Sequence, residues 1–220
     1  MIPGITLTID AVGVAVQAAT PLVAASSAIV GGGVREVGAI LNVHVTKHGR
    51  LGEAQAALEA FARRAGVAGP YVGLLTGALT ERAEIETARH AGITALAVVT
   101  IGLSNRITAG VSPAAPAPAA STINTIVVLD ADAEPAALVN ALLTVTEVKT
   151  LALIEAGVKG ADGHFATGTS TDAVVVAATG RGPRHQFGGP ISDLGWVTAQ
   201  AAGPALRRGI ARWLAERGDG

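Results

Sequence analysis

From residue 37 onwards, runs that alternate apolar and polar side chains are separated by runs of helical spacing. Such alternation restricts the chain to folds whose strands are joined by crossovers and pair at least partly in parallel. VGAILNVHVT (37–46) places Leu41, Val43 and Val45 on one face and Asn42, His44 and Thr46 on the other. Helical patterns at about 52–65 and 80–91 each lead into an apolar strand, YVGLLTGA (71–78) and ITALAVVTIGL (93–103). A strand STINTIVVLD (121–130), a long apolar helix from about 134 to 156 and a strand DAVVVAAT (172–179) follow. The last pattern is a helix from roughly 190 to 216, apolar on one side and basic on the other (Arg207, Arg208, Arg212), suited to capping the sheet. Two β-rich runs in 4–18, broken near Asp10–Gly13, predict an N-terminal hairpin. The expected architecture is one α/β (or α+β) domain over 1–220, with a mixed β-sheet flanked by helices. SPAAPAPAA (112–120) reads as a Pro/Ala-rich surface loop in an extended conformation.

Composition removes several function classes. Half the residues are apolar, mostly small, and the aromatics are two Trp, one Tyr and three Phe. That is too few for a base-stacking platform, and a formal charge of −1 lacks the cationic excess of a phosphate-backbone binder. No nucleic-acid partner is therefore expected. The absence of cysteine excludes disulfides, thiolate zinc sites and a thiol nucleophile. The apolar run Val12 to Val30 is interrupted by Gln17 and Pro21 and has no basic residues before it, which makes it a poor membrane span and a poor signal peptide. A cytoplasmic protein with no membrane partner is the expectation. Many small apolar residues are compatible with a homodimer.

Three segments together resemble the adenosylcobinamide amidohydrolase family. They are the block from the Gly31–Gly33 triplet through AILNVHV, the stretch STINTIVVLDADAEPAALVNALLTVTEVKTLAL (121–153), and ATGTSTDAVVVAATG (166–180) with the following GGPISDLGW. They occur in the family's order, with a Pro/Ala-rich gap before the second, and cover roughly residues 22 to 213. The segment VTKHGRLGEA departs from the more acidic, Asp/Pro-containing loop that the resemblance leads one to expect, and the choice of corrinoid is expected to depend on that loop. The resemblance implies hydrolysis of the amide joining the aminopropanol arm to the corrin ring, yielding adenosylcobyric acid for cobamide synthesis. The partner is then a small corrinoid, and the cobalt arrives inside that substrate.

Amide hydrolysis needs an activated nucleophile, a cradle for the oxyanion and a proton for the leaving amine. On the long helix, Asn140, Thr144 and Glu147 fall at i, i+4 and i+7, a polar line on an otherwise apolar element. Glu147 reads as a general acid or base, or else as a core carboxylate bridging to a strand. Lys149 falls about 200° away around the helix and is expected beside Thr146 and Thr150. The turn ATGTSTD exposes backbone N–H groups around Gly168 together with Thr167, Thr169, Ser170 and Thr171, a nest suited to an oxyanion or a phosphate. Asp172 would orient a hydroxyl or water, or else cap an ordinary tight turn, and Ser170 would attack the amide unless an activated water does so. Asn42, Thr122 and Asn124 on the polar strand faces are candidates for gripping the corrin's amides, with His44 a base or a structural residue. Ser27 and Gly32 sit where three glycines either bring backbone close to a ligand or form a loose loop. No metal site is expected: His44 and His48 lack a convincing third ligand, with His164 or Asp172 the only candidates. A carrier that binds corrinoid without turnover, or an enzyme using ATGTSTD on phosphate, are the competing readings.

Overall fold

A computed structural model of the chain describes residues 1–45, 51–114 and 121–218. Strand β1 (Ile5–Ile9) turns through Asp10, whose carboxylate accepts the backbone N–H groups of Val12 and Gly13, into β2 (Gly13–Ser26). The expected hairpin is present, with Ile5 opposite Ala18 and Ile9 opposite Val14. The second strand is long and changes partners along its length. Its first half pairs with β1 and with the end of β3 (Gly33–His44); its second half pairs with the start of β3 and with β11 (Ala173–Ala178). The ladder to β3 breaks between Gln17 and Leu22, the stretch that holds Pro21, which has no N–H to give.

Helix α1 (Leu51–Arg64) crosses from β3 to its parallel neighbour β4 (Tyr71–Thr76). It buries Leu58 and Phe61 on Ala15, Ala39, Leu41 and Val43. Burial of two side chains of that size contributes about 1.5–3 kcal/mol each. The helical pattern at 80–91 is not realised. Instead a single 3₁₀ turn, Thr80–Arg82, precedes strand β5 (Glu84–His90), which forms a hairpin with β6 (Ile93–Ile101). Ala91 and Gly92 both adopt positive φ, 47° and 80°, the backbone that a two-residue hairpin turn requires. That turn and the pairing with β6 outweigh the local helical spacing.

After the short strand β7 (Arg106–Ile107) comes β8 (Ile123–Asp130), then the two-residue β9 (Asp132–Ala133). Helix α2 (Pro135–Glu155) crosses over to β10 (Gly168–Thr169) and β11, and β11 lies parallel to β8. Short β12 (Arg184–His185) precedes α3 (Asp193–Gly218), which packs on β5, β6 and α2. The main sheet runs β4-β3-β2-β11-β8-β6-β5, with β1 attached to β2.

Because β2 changes partners midway, the sheet doubles over. Val14, Val37, Ile40, Val72 and Leu74 of one part meet Leu96, Val98, Ile126, Val128 and Val175 of the other in an inner core. Helix α1 covers one outer face, and α2 with α3 covers the other. The fold is a mixed α/β arrangement with three helices flanking a large sheet. Along α2 the buried positions Ala137, Leu138, Ala141, Thr144, Val145, Lys149, Ala152 and Leu153 form one stripe. The helix is long and apolar enough to cross a membrane by length and composition alone, but this stripe packs inside the protein. Of the 112–120 segment, residues 115–120 lie outside the described residues.

Candidate functional site

The polar side chains that the sequence scatters over three segments converge where β3, β4 and β6 end and β8 and β11 begin. At the centre is Asp172, immediately before β11, with its side chain almost wholly buried. One carboxylate oxygen accepts Ile123 N (2.9 Å) and Thr169 Oγ1 (2.5 Å); the other accepts Thr169 N (3.1 Å) and Lys149 Nζ (2.5 Å). The Lys149 and Asp172 side chains are only 8% and 9% exposed. Two charges removed from water are tolerated only when paired and hydrogen-bonded, which these are. Gly168 permits the approach: a Cβ there would lie 2.4 Å from the Asp172 carboxylate and 2.8 Å from Lys149 Nζ. The ion pair thus fastens α2 to the GTST turn and to the first residues of β8.

A second buried network joins the two parts of the folded sheet. Asn124 Nδ2 donates to Asn42 Oδ1 (2.8 Å) and to the Leu75 carbonyl (2.9 Å), while Asn42 Nδ2 donates to Thr100 Oγ1 (3.0 Å). Thr122 Oγ1 donates to the Thr171 carbonyl at 2.7 Å, tying β8 to the same turn. These bonds use groups that an alternating strand would otherwise present to solvent, and they fix the relative height of the two layers.

Beside this network lies a cavity of about 200 Å³. Its walls are the Gly77–Leu79 turn, the end of β6 at Ile101–Gly102, Ser104, Ser121, and the last turns of α3 with Arg212, Trp213 and Glu216. His44 Nδ1 donates to the Ala78 carbonyl (2.9 Å), and Thr76 Oγ1 accepts Ala78 N (3.0 Å), so the ends of β3 and β4 brace one wall. Ser121 is 3% exposed and its Oγ accepts Ser104 N at 2.8 Å. On the outer side, the Arg106 guanidinium stacks 5.6 Å above the Trp213 ring.

Several expected site residues stand elsewhere or play other parts. The line Asn140–Thr144–Glu147 is split, because the buried stripe of α2 runs through Thr144 and leaves the other two on the outer face. Glu147 is exposed, so neither burial nor a bridge to a strand applies to it; the charged residue that points inward is Lys149. Thr150, the neighbour expected for Lys149, donates to the Thr167 carbonyl, whereas Thr146 bonds back to its own helix at Leu142. Thr144 holds the Gly188 carbonyl (3.1 Å) rather than facing the polar cluster. Asn42, Thr122 and Asn124 are 2%, 3% and 1% exposed and bond within the protein, in place of the open strand faces expected of them.

Ser170 and Thr171 are exposed on the turn, with Ser170 Oγ accepting Asn105 Nδ2 at 2.6 Å. Thr167 Oγ1 accepts Ala109 N, which closes the β7–β10 ladder. Ser27 Oγ accepts Val174 N, extending the pairing of β2 with β11. Gly32 lies against its own chain, where a Cβ would sit 2.6 Å from the Ala28 carbonyl, and a Cβ at Gly31 would sit 2.4 Å from the Tyr71 carbonyl. His48 lies outside the described residues, and His164 is exposed on the 160–165 loop beside Asp162. Among the described residues no three His, Asp or Glu side chains cluster as metal ligands would.

Sequence reasoning missed Lys149 as a centre and Ser121 as a cavity wall. The signal for the first was present: Lys149 is the only cation of α2, four residues beyond Val145 and eight beyond Ala141 on the apolar stripe. Ser121 carries no such signal, since only the tertiary fold brings it to Ser104 and α3.

Comparison with known proteins bears on what this site does. The family model described as adenosylcobinamide amidohydrolase matches residues 6–218. A protein of Methanosarcina mazei named adenosylcobinamide amidohydrolase is 38% identical over 119 residues, 51% of this chain and 56% of that relative. The match therefore spans little more than half the relative's length. Among solved structures, a Burkholderia sp. beta-aminopeptidase superposes with a TM-score of 0.53 at 14% identity, covering 95% of this chain and 84% of that one. A Pyrococcus horikoshii OT3 protein superposes with a TM-score of 0.50 at 16% identity, covering 96% and 80%. At such identities these two likenesses speak to the fold alone.

Proposed function

Because the chain belongs to the adenosylcobinamide amidohydrolase family, we propose that it hydrolyses the amide between the aminopropanol arm and the corrin ring of adenosylcobinamide, releasing aminopropanol and adenosylcobyric acid. The observation that carries this reading is the meeting of two signature segments, STINT and ATGTSTD, beside one polar cavity. Ser121 forms part of its wall, and Thr122 and Ile123 are bonded to Thr171 and Asp172. A cavity of about 200 Å³ is smaller than the roughly 300–1,000 Å³ of pockets that enclose drug-sized ligands. It suits an amide-bearing side arm, with the macrocycle resting outside.

In this reading the chain's own residues do three things. The Lys149–Asp172 pair holds the GTST turn and the start of β8 in one geometry, so the reacting groups need no rearrangement as charge develops. His44 and Thr76 fix the opposite wall through Ala78. The Arg106 guanidinium over the Trp213 ring gives the outer side a cationic and aromatic corner, suited to holding the polar periphery of a corrinoid. The reaction is proposed to need no protein-bound metal, the cobalt being part of the substrate, and to take place in the cytoplasm.

Incubating the purified protein with adenosylcobinamide in the presence of EDTA tests all of this except location. Mass spectrometry should find aminopropanol and adenosylcobyric acid appearing in equal amounts. A shift in the corrinoid's visible spectrum without cleavage would replace catalysis by carriage. Neither signal would remove the substrate assignment.

A further inference from the structure

We propose that Ser121 is the nucleophile of this amide hydrolysis, an assignment that rests on the reading above for its substrate but not for its geometry. Two serines line the cavity, Ser104 and Ser121, and they differ in how they are held. Ser104 is exposed, whereas Ser121 is 3% exposed. Its backbone is fixed from its carbonyl onward: the Ser121 carbonyl accepts Thr171 Oγ1 at 3.4 Å, and the next two residues are bonded to Thr171 and Asp172. Its hydroxyl oxygen accepts Ser104 N, which orients a lone pair, and among the described residues nothing takes its proton. A nucleophile needs an oxygen of defined direction at a cavity wall and a proton still free to be passed on. Ser170, the serine singled out by the turn sequence, fails on position: it is exposed and does not line the cavity.

The chemistry balances without another reactant. Ser121 Oγ bonds to the amide carbon, the carbon–nitrogen bond breaks, and the serine proton leaves on the aminopropanol nitrogen. The resulting ester is then cut by water, whose oxygen stays on the corrin side chain as a carboxyl group while a proton returns to Ser121. Buried Ser121 is presented to the arm of the substrate, not to its ring.

The decisive experiment exploits the absence of cysteine from the chain. Ser121→Ala should lower turnover of adenosylcobinamide by about a thousandfold or more, with an unchanged circular dichroism spectrum and an unchanged corrinoid titration. Ser121→Cys introduces a single thiol, which iodoacetamide should alkylate and adenosylcobinamide should protect. Turnover by Ser121→Ala within tenfold of the parent protein would overturn the proposal. Should the parent protein fail to cleave adenosylcobinamide, the substrate reading falls by itself. A small fluorophosphonate then decides the nucleophile: a phosphonyl group mapped to Ser121 keeps the assignment, and its absence ends it.

Discussion

Two ionic regions of the molecule are built on opposite principles. Lys149 and Asp172 are sealed between α2 and the sheet, one pair at less than a tenth exposure. At the other outer corner, Arg208 spans Glu84 (3.0 Å) and Glu86 (2.7 Å), Arg212 reaches Glu84 (2.6 Å), and Arg82 pairs with Glu216, with the arginine side chains 38–51% exposed. The first region gives a site its shape; the second fastens α3 to β5, an edge strand whose inward positions are Glu84, Glu86, Ala88 and His90, of which Ala88 alone is apolar. Burial makes the difference. A sealed pair cannot lose one member without stranding the other, while an exposed arginine can exchange a carboxylate for water.

The largest expected effect follows from how unequally Lys149 and Asp172 depend on each other. Asp172 keeps three other donors if the lysine is lost, whereas Lys149 has no second hydrogen-bond partner among the described residues. Asp172→Asn should therefore cost about 3–5 kcal/mol, with Lys149→Met clearly milder, as read by denaturant unfolding. The double variant should recover part of the loss, and a double-mutant cycle would report the coupling. Equal costs for the two single variants would mean that the lysine is held by something other than Asp172.

A middle-sized effect belongs to the uncharged network. Asn124→Ala removes the two hydrogen bonds that Nδ2 donates, together with the contact of Oδ1 with Thr122 Oγ1 (3.3 Å), and leaves Asn42 Oδ1 and the Leu75 carbonyl buried without their donor. The expected cost is about 1–3 kcal/mol. The denaturant slope should stay constant, because the same surface is exposed on unfolding. A loss below ~0.5 kcal/mol would mean that water replaces the side chain, and that the two sheet layers are not locked at this point.

Much of this organisation is legible in the sequence, and the failures have identifiable physics. The hairpin at Asp10, the crossovers through α1 and α2, and the capping helix α3 follow from local periodicity, which tertiary packing here reinforces. The stretch Glu84–His90 misleads because two of its inward residues, Glu84 and Glu86, are charged: the arginines that satisfy them lie on α3, over a hundred residues away. Asn42 and Asn124 mislead in the opposite sense. Alternation correctly puts them on one face of each strand, but nothing local says that β2 bends and turns those faces toward each other. Glu147 and Lys149 show the limit of helical geometry, which gives the angle between two side chains and not which of them points inward. Only the stripe of small and branched residues around Lys149 settles that.

The smallest effect is the sharpest test of the contrast between the two regions. The guanidinium of Arg208 and the N–H of Thr87 hold the Glu86 carboxyl below its ordinary value of 4.5, against a smaller opposing effect of burial. A carboxyl whose folded value is depressed stabilises the fold fully above its unfolded value. That contribution fades as pH falls through the depressed one. Glu86→Gln should therefore be less stable than the parent by under ~1 kcal/mol at neutral pH, and the gap should close as the pH is lowered beneath 4.5. High salt should narrow it too, since exposed charges are screened, while the coupling between Lys149 and Asp172 should change little. Thermal melts of the parent and of Glu86→Gln, across pH at two salt concentrations, measure both dependences. A gap that persists at low pH would assign the effect to side-chain packing on α3, and the distinction between a fastening pair and a shaping pair would then rest on the Lys149–Asp172 cycle alone.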